Sequence, residues 1–176
     1  KPCNVGPVLG KEPEHTNEFV NKYNGAVTAN DIDAFLNEKP DAAYIATPHP
    51  MHYEHTLKCL ENKIPVLCEK PLAINVKQVR ALTTASIKNN TFLMEGMWTR
   101  FLPSFQFLFT IIESGTIGKV LNLHADMSFI AEKDKSNRFF NPELGGGSLL
   151  DVGVYPIYLS YFLLGNPDEI FSCGKI

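Results

Sequence analysis

Ile64-Pro65-Val66-Leu67-Cys68 is an apolar run that stops abruptly at Glu69-Lys70-Pro71. Its length and composition predict a short buried β-strand. A strand ending in Glu-Lys-Pro places a lysine at the carboxyl end of a sheet, where open α/β sheets bind ligands and do chemistry. Pro71 has no N–H and pushes Lys70 toward extended geometry, so the amine is presented from a stiff turn. The plainer alternative is a solvated charge pair at a strand end. It stands until a second polar group, further along the chain, is weighed with it.

That strand has neighbours of the same kind. Asp41-Ala42-Ala43-Tyr44-Ile45-Ala46-Thr47-Pro48 predicts a second buried strand running into a proline-stiffened turn, and Thr91 to Glu95 a third. Helices are expected between them, over His52 to Asn62 and Val76 to Asn89. Upstream, Asn4 to Gly10 reads as an edge strand, Glu14 to Tyr23 as a helix ended by Asn24-Gly25, Val27-Thr28 as a strand stub, and Asp31 to Leu36 as a short capped helix. Strands alternating with helices at this spacing predict right-handed βαβ units and a doubly wound parallel sheet, so residues 1–97 form most of one α/β domain.

The pattern changes after Trp98. Phe101 to Ser114 predicts a helix, and Lys119 to Ile130 alternates apolar and polar residues over its whole length. Period two over so long a run predicts a strand with one wet face, the mark of an antiparallel sheet. A polar loop and Gly145-Gly146-Gly147 lead into an apolar helix from Ser148 to Leu164, and a further strand would begin at Ile170. One strand and a stub cannot make a sheet. Residues 98–176 are therefore expected to be a truncated α+β domain with a mainly antiparallel sheet.

The 176 residues are 44% hydrophobic and 20% charged, with a net charge of −3. That excludes disorder and gives no electrostatic reason to expect nucleic acid or an anionic membrane as partner. No apolar run is expected to reach the ~20 residues that span a bilayer, and the opening residues lack a signal-peptide pattern. Four scattered cysteines without C-x-x-C spacing fit reduced thiols, so a cytoplasmic location is expected. Residue 1 is a lysine, which suggests a fragment.

Asp151 and Tyr155 stand four apart, on one face of an otherwise greasy helix. A satisfied phenol and a dipole-stabilised carboxylate would explain them without function. A lysine within reach of the phenol changes the chemistry, because an ammonium favours phenolate. Such a Lys–Tyr pair suits proton transfer at an alcohol or carbonyl, with Asp151 orienting a partner or a substrate hydroxyl. Two other patterns carry less. His49, His52 and His55 step by three, but no nearby cysteine completes a metal set, so no metal is expected. The row Phe101, Phe105, Phe107, Phe109 has no basic groove beside it and reads as core or dimer surface.

Glu69-Lys70-Pro71, preceded by Ala46-Thr47-Pro48-His49-Pro50-Met51-His52 and followed by Gly145 through Tyr155, resembles the Gfo/Idh/MocA oxidoreductases. Together with Phe92 to Phe101 the match is closest to the dimeric dihydrodiol dehydrogenase branch, which includes NADP-dependent xylose dehydrogenases. The resemblance implies an incomplete Rossmann-type dinucleotide-binding domain over 1–97 and a partial substrate and dimerisation domain over 98–176. It implies Tyr155 as acid–base, Lys70 beside the nicotinamide and the reacting hydroxyl and tuning that group, and Asp151 supporting the substrate. Thr47, Pro48, His52 and Glu69 would line the cofactor. Trp98 and Arg100 would flank its nicotinamide, with Trp98 also walling the substrate pocket. Lys11 would meet the 2′-phosphate, which points to NADP, although the adjacent Glu12 favours a free ribose hydroxyl. The implied activity is oxidation of a vicinal diol or sugar hydroxyl, in a protein that is a homodimer when full length.

One departure matters. No G-x-G-x-x-G occurs in the chain; Gly6 and Gly10 are the nearest glycines to its start. In the resembled family the first strand and its phosphate-binding glycine turn precede the strand at Asn4 to Gly10, so the pyrophosphate cradle is missing here. A non-catalytic binding module, or a partner subunit of the same fold, therefore remains open beside the dehydrogenase.

Overall fold

The computed structural model describes residues 4–25, 27–132, 134 and 137–173. Their contacts divide the chain into two compact units, Lys1–Gly96 with Glu143–Gly145 and Met97–Pro142 with Gly146–Ile176.

The first unit is the expected alternation: β1 (Val8–Leu9), α1 (Pro13–Tyr23), β2 (Thr28–Ala29), α2 (Ile32–Asn37), β3 (Ala43–Ile45), α3 (His49–Glu61), β4 (Val66–Cys68), α4 (Val76–Asn89) and β5 (Leu93–Glu95). Local chemistry sets most of these boundaries. Asp31 accepts from the Ala34 N–H at 2.7 Å to start α2, and Asn75 accepts from the Gln78 N–H at 3.0 Å to start α4. Asn24 and Asn90 end α1 and α4 in the left-handed region, which asparagine tolerates. Helix α3 begins at His49, earlier than expected, because Pro50 falls in its first turn, where the missing N–H has no helical partner to lose.

All strand pairs are parallel, but they form two sheets, β1-β2 and β3-β4-β5. In the larger sheet Ala43, Val66 and Leu93 stand in register, as do Ile45, Cys68 and Glu95. Ala43, Ile45, Val66 and Cys68 are buried with Cys59 and Leu60 of α3 and Leu82 and Ala85 of α4 in one core cluster. Tyr44 and Leu67 alternate with them, so they lie on the opposite face, where both are exposed. One face of this sheet is covered and the other is open.

The second unit holds a 3₁₀ turn at Trp98–Phe101, α5 (Pro103–Glu113), a π-helical turn at Leu149–Gly153 and α6 (Val154–Leu164). Phe109 of α5 meets Phe162 of α6 with ring centroids 4.1 Å apart. The expected antiparallel sheet is absent: among the described residues this unit contains no strand. Lys119 to Ile130 has the sequence of a strand but no ladder partner, and Leu121 and Ile130 are almost wholly exposed. A pleated run keeps strand geometry only when its N–H and C=O groups find a neighbour.

A second expectation also needs correcting. Pro142–Leu164 has the length and apolar composition of a bilayer-crossing helix, with a mean hydropathy of 1.3. The run is broken, however, by the non-helical Gly145 to Gly147, and it carries the ion-paired Asp151.

Candidate active site

The residues singled out by sequence fall into two sets, one on each unit. In the first unit, the carboxyl ends of β3, β4 and β5 bring together Thr47, Glu69, Lys70 and Glu95. Glu69 follows β4 directly, and its Oε1 accepts from the Tyr44 hydroxyl at 2.6 Å. That bond to a carboxylate, helped by partial burial, pushes the Tyr44 phenol up to about 12. The Glu69 N–H donates back to the Ile45 carbonyl at 2.8 Å, so the first residue after the strand is still held in the sheet.

Glu95, at the matching end of β5, accepts from the Leu72 N–H at 2.7 Å. A strand-end carboxylate thus ties down the backbone just beyond Lys70-Pro71. Sequence reasoning passed over both Glu95 and Tyr44. The available signal was that Glu95 ends its strand in register with Cys68, one residue before Glu69. Gly96 packs into the same corner, where a Cβ would approach the Cys68 carbonyl oxygen and the Glu69 Cα to 3.3 Å.

His52 is 1% exposed. Its Nδ1 lies 2.7 Å from the Pro71 carbonyl oxygen and its Nε2 2.7 Å from the Thr47 carbonyl oxygen. Both ring nitrogens are therefore taken by backbone, and the ring braces the turn after β3 against the turn after β4. Its influence on anything bound there is exerted through those two turns. Pro48, at the cap of α3, stiffens the first of them. Thr47 Oγ1 is buried without a hydrogen-bond partner, which is costly for a hydroxyl unless something else satisfies it. His49 Nδ1 lies 3.3 Å from the Gly145 carbonyl oxygen.

Lys11 lies apart from these groups, in the turn between β1 and α1. It lines a cavity of about 310 Å³ together with Gly10, Glu12, His15, Thr16 and Phe19. A Cβ on Gly10 would fall 2.1 Å from Thr16 Oγ1, so a larger residue there would displace that hydroxyl from the Glu12 carbonyl, to which it donates at 2.8 Å. Glu12 Oε2 lies 2.7 Å from His15 Nδ1.

In the second unit, the Trp98 indole N–H donates to the Tyr155 hydroxyl at 2.9 Å, with the rings edge-on at 6.1 Å. Arg100 donates to the Tyr158 hydroxyl at 3.1 Å and lies 4.9 Å from the Phe162 ring centre. Asp151 is buried within the π-helical turn, and Arg138 meets its Oδ1 at 3.3 Å. Where an uninterrupted α-helix from Ser148 was expected, this wider turn precedes α6; single π turns recur at functional sites. Arg138 was not foreseen, because it lies in a loop whose sequence carries no periodic signal. Among the described residues no group of three or more His, Cys, Asp or Glu side chains is arranged to hold a metal ion.

Residues 4–97 match a family described as "Oxidoreductase family, NAD-binding Rossmann fold", and residues 105–175 match the "GFO/IDH/MocA C-terminal domain". A trans-1,2-dihydrobenzene-1,2-diol dehydrogenase of Xenopus laevis is 44% identical over 136 residues, covering 76% of this chain and 41% of its own length. The D-xylose 1-dehydrogenase (NADP(+)) of Hypocrea jecorina is 34% identical over 165 residues, 87% of this chain and 42% of the relative. A 3-ketoreductase from Actinomadura kijaniata, solved with NADP and TDP-benzene, superposes with a TM-score of 0.80 at 26% identity, over 92% of this chain and 50% of that one. The chain thus spans about half the length of the relatives it matches. Matched over more than half its length by the nucleotide-binding domain, and beyond that by the C-terminal domain, the chain belongs to the Gfo/Idh/MocA oxidoreductase family.

Proposed function

We propose that this chain provides the catalytic residues of an NADP-dependent dehydrogenase that oxidises a vicinal diol or sugar hydroxyl. Tyr155 is the acid–base group, Lys70 the cation that favours its phenolate, and Asp151 the carboxylate that receives a substrate hydroxyl. The observation that carries this reading is the Trp98 N–H aimed at the Tyr155 oxygen. That bond holds the phenol oxygen in one place, as a group that must meet an alcohol proton in a fixed geometry requires. Trp98 is half-exposed, so its ring is also free to wall a small-molecule pocket.

NADP, when bound, supplies the hydride acceptor for the carbinol carbon. The chain's own residues fit such a group at two points. The unsatisfied Thr47 hydroxyl, at the carboxyl end of β3, is suited to a polar atom of a dinucleotide. Lys11 lines a cavity in the turn after β1, where a cation suits a 2′-phosphate. Glu69 and Glu95 fix the turn that carries Lys70, His52 braces that turn from beneath, and Pro48 sets the entry to α3. Arg100, held by Tyr158 and Phe162, would flank the nicotinamide side. The full protein would work as a cytoplasmic homodimer.

Tyr155→Phe tests the assignment. Turnover of a dihydrodiol or aldose should fall by about a hundredfold or more, while NADPH affinity, read by fluorescence titration, stays within twofold. Retained turnover removes Tyr155 from the role.

A further inference from the structure

Asp151 is 7% exposed, and a buried carboxylate needs a partner. Arg138 supplies it from thirteen positions upstream, Nη1 to Oδ1 at 3.3 Å, across a segment that holds the short 3₁₀ turn Pro142–Leu144. The loop is delivered by glycine. A Cβ on Gly146 would stand 2.7 Å from the Asn141 carbonyl oxygen, 2.8 Å from the Asn141 nitrogen and 2.9 Å from the Arg138 carbonyl oxygen. All three are backbone atoms, which cannot swing aside as a side chain can. Two hydrogen bonds of 2.9 Å then staple the contact, from the Gly146 N–H to the Asn141 carbonyl and from the Gly147 N–H to the Phe139 carbonyl. The guanidinium itself lies 4.1 Å from the Phe139 ring centre, which limits its rotation.

We propose that Arg138 is a positioning residue for Asp151, and that Gly146 is the contact that brings its loop within reach. The proposal rests on Asp151 receiving a substrate hydroxyl. A guanidinium on Oδ1 restrains the Asp151 side chain, and so the position from which its carboxylate meets a substrate hydroxyl. Arginine's planar head is itself held against the Phe139 ring, whereas a lysine supplies charge without that stacking. The triple-glycine run thus has a use beyond breaking a helix.

Four variants test it: Arg138→Met, Arg138→Lys, Gly146→Ala and Asp151→Asn. Arg138→Met should lower the melting temperature by about 2–4 °C, and in the Asp151→Asn background by less than half as much, since the charge that needed pairing is gone. In the active dehydrogenase, Arg138→Met should raise KM for the diol about tenfold and leave NADPH affinity unchanged; Arg138→Lys should recover only part of the loss. Gly146→Ala should copy Arg138→Met, and should it fail to fold, the two Arg138 variants carry the test. Unchanged KM and kcat in Arg138→Met, or full additivity of its melting shift with that of Asp151→Asn, overturns the proposal. Unchanged kinetics in Asp151→Asn, with the melting shifts still coupled, instead overturns the role given to Asp151 and leaves the ion pair standing.

Discussion

Helix α3 of the first unit buries His52, His55, Thr56, Cys59 and Leu60, whereas α6 of the second unit buries none of its residues. Yet α6 is the more apolar by far: Val154, Ile157, Leu159, Phe162, Leu163 and Leu164 stand beside three tyrosines, and Ile157, Tyr161 and Leu164 are each more than half exposed. Composition therefore does not explain the difference. Around α3 the chain supplies a sheet and a second helix, and their side chains close on one another. Around α6 it supplies α5, a π-helical turn and a long unpaired segment. Burial follows from the neighbours that close over a surface, and apolar sequence only makes that closure favourable.

The largest test of this comparison is stability. Leu82→Ala empties a site with no solvent exposure at the centre of the first unit's cluster, and should cost about 2–5 kcal/mol in urea unfolding. Ile157→Ala on α6 removes a side chain that is 55% exposed, and should change stability by no more than about 0.5 kcal/mol. Comparable losses at the two sites would mean that α6 is covered in solution.

The same contrast explains what sequence reasoning could and could not reach. Elements set by short-range chemistry were legible: the Asp31 and Asn75 caps, the αL asparagines, and the apolar runs that became β3, β4 and β5 all depend on residues within four positions. Lys119 to Ile130 failed because a strand is a property of a pair, and no partner strand stands beside it among the described residues. Of the residues in the proposed function, Lys70, Tyr155 and Asp151 stood out as polar groups beside apolar runs. Arg138 and Glu95 were not, since each acts through a contact thirteen or more residues away. His52 was found as a residue but not in its task. Nothing in a sequence says that both ring nitrogens will face carbonyl oxygens.

Thiol reactivity gives a second test. Burial pushes the Cys59 and Cys68 thiols up to about 11 each. At pH 8 only about one thousandth of each would be thiolate, the form that reacts. Cys173 in the second unit is exposed. Iodoacetamide labelling at pH 8, mapped by mass spectrometry, should modify Cys173 at least a hundredfold faster than the other two. Equal rates would show that the first unit opens readily, and that its core is no better closed than its neighbour.

The smallest effect concerns the open face of the β3-β4-β5 sheet, where Tyr44 is fastened to Glu69. The native state holds the phenol's proton up to about pH 12, whereas an unfolded chain releases it near 10. Between those values the folded protein binds the extra proton, so unfolding becomes easier as pH rises; below pH 10 the bond contributes in full. Because Tyr44 is 62% exposed, water screens most of this, and the expected change is about 1–2 °C of melting temperature between pH 10 and 12. Tyr44→Phe should abolish that extra loss and remove the last-ionising component from a phenolate absorbance titration. If the wild-type titration has no such late component, then Tyr44 is not tied to Glu69, and the turn carrying Lys70 relies on Glu95 and His52 alone.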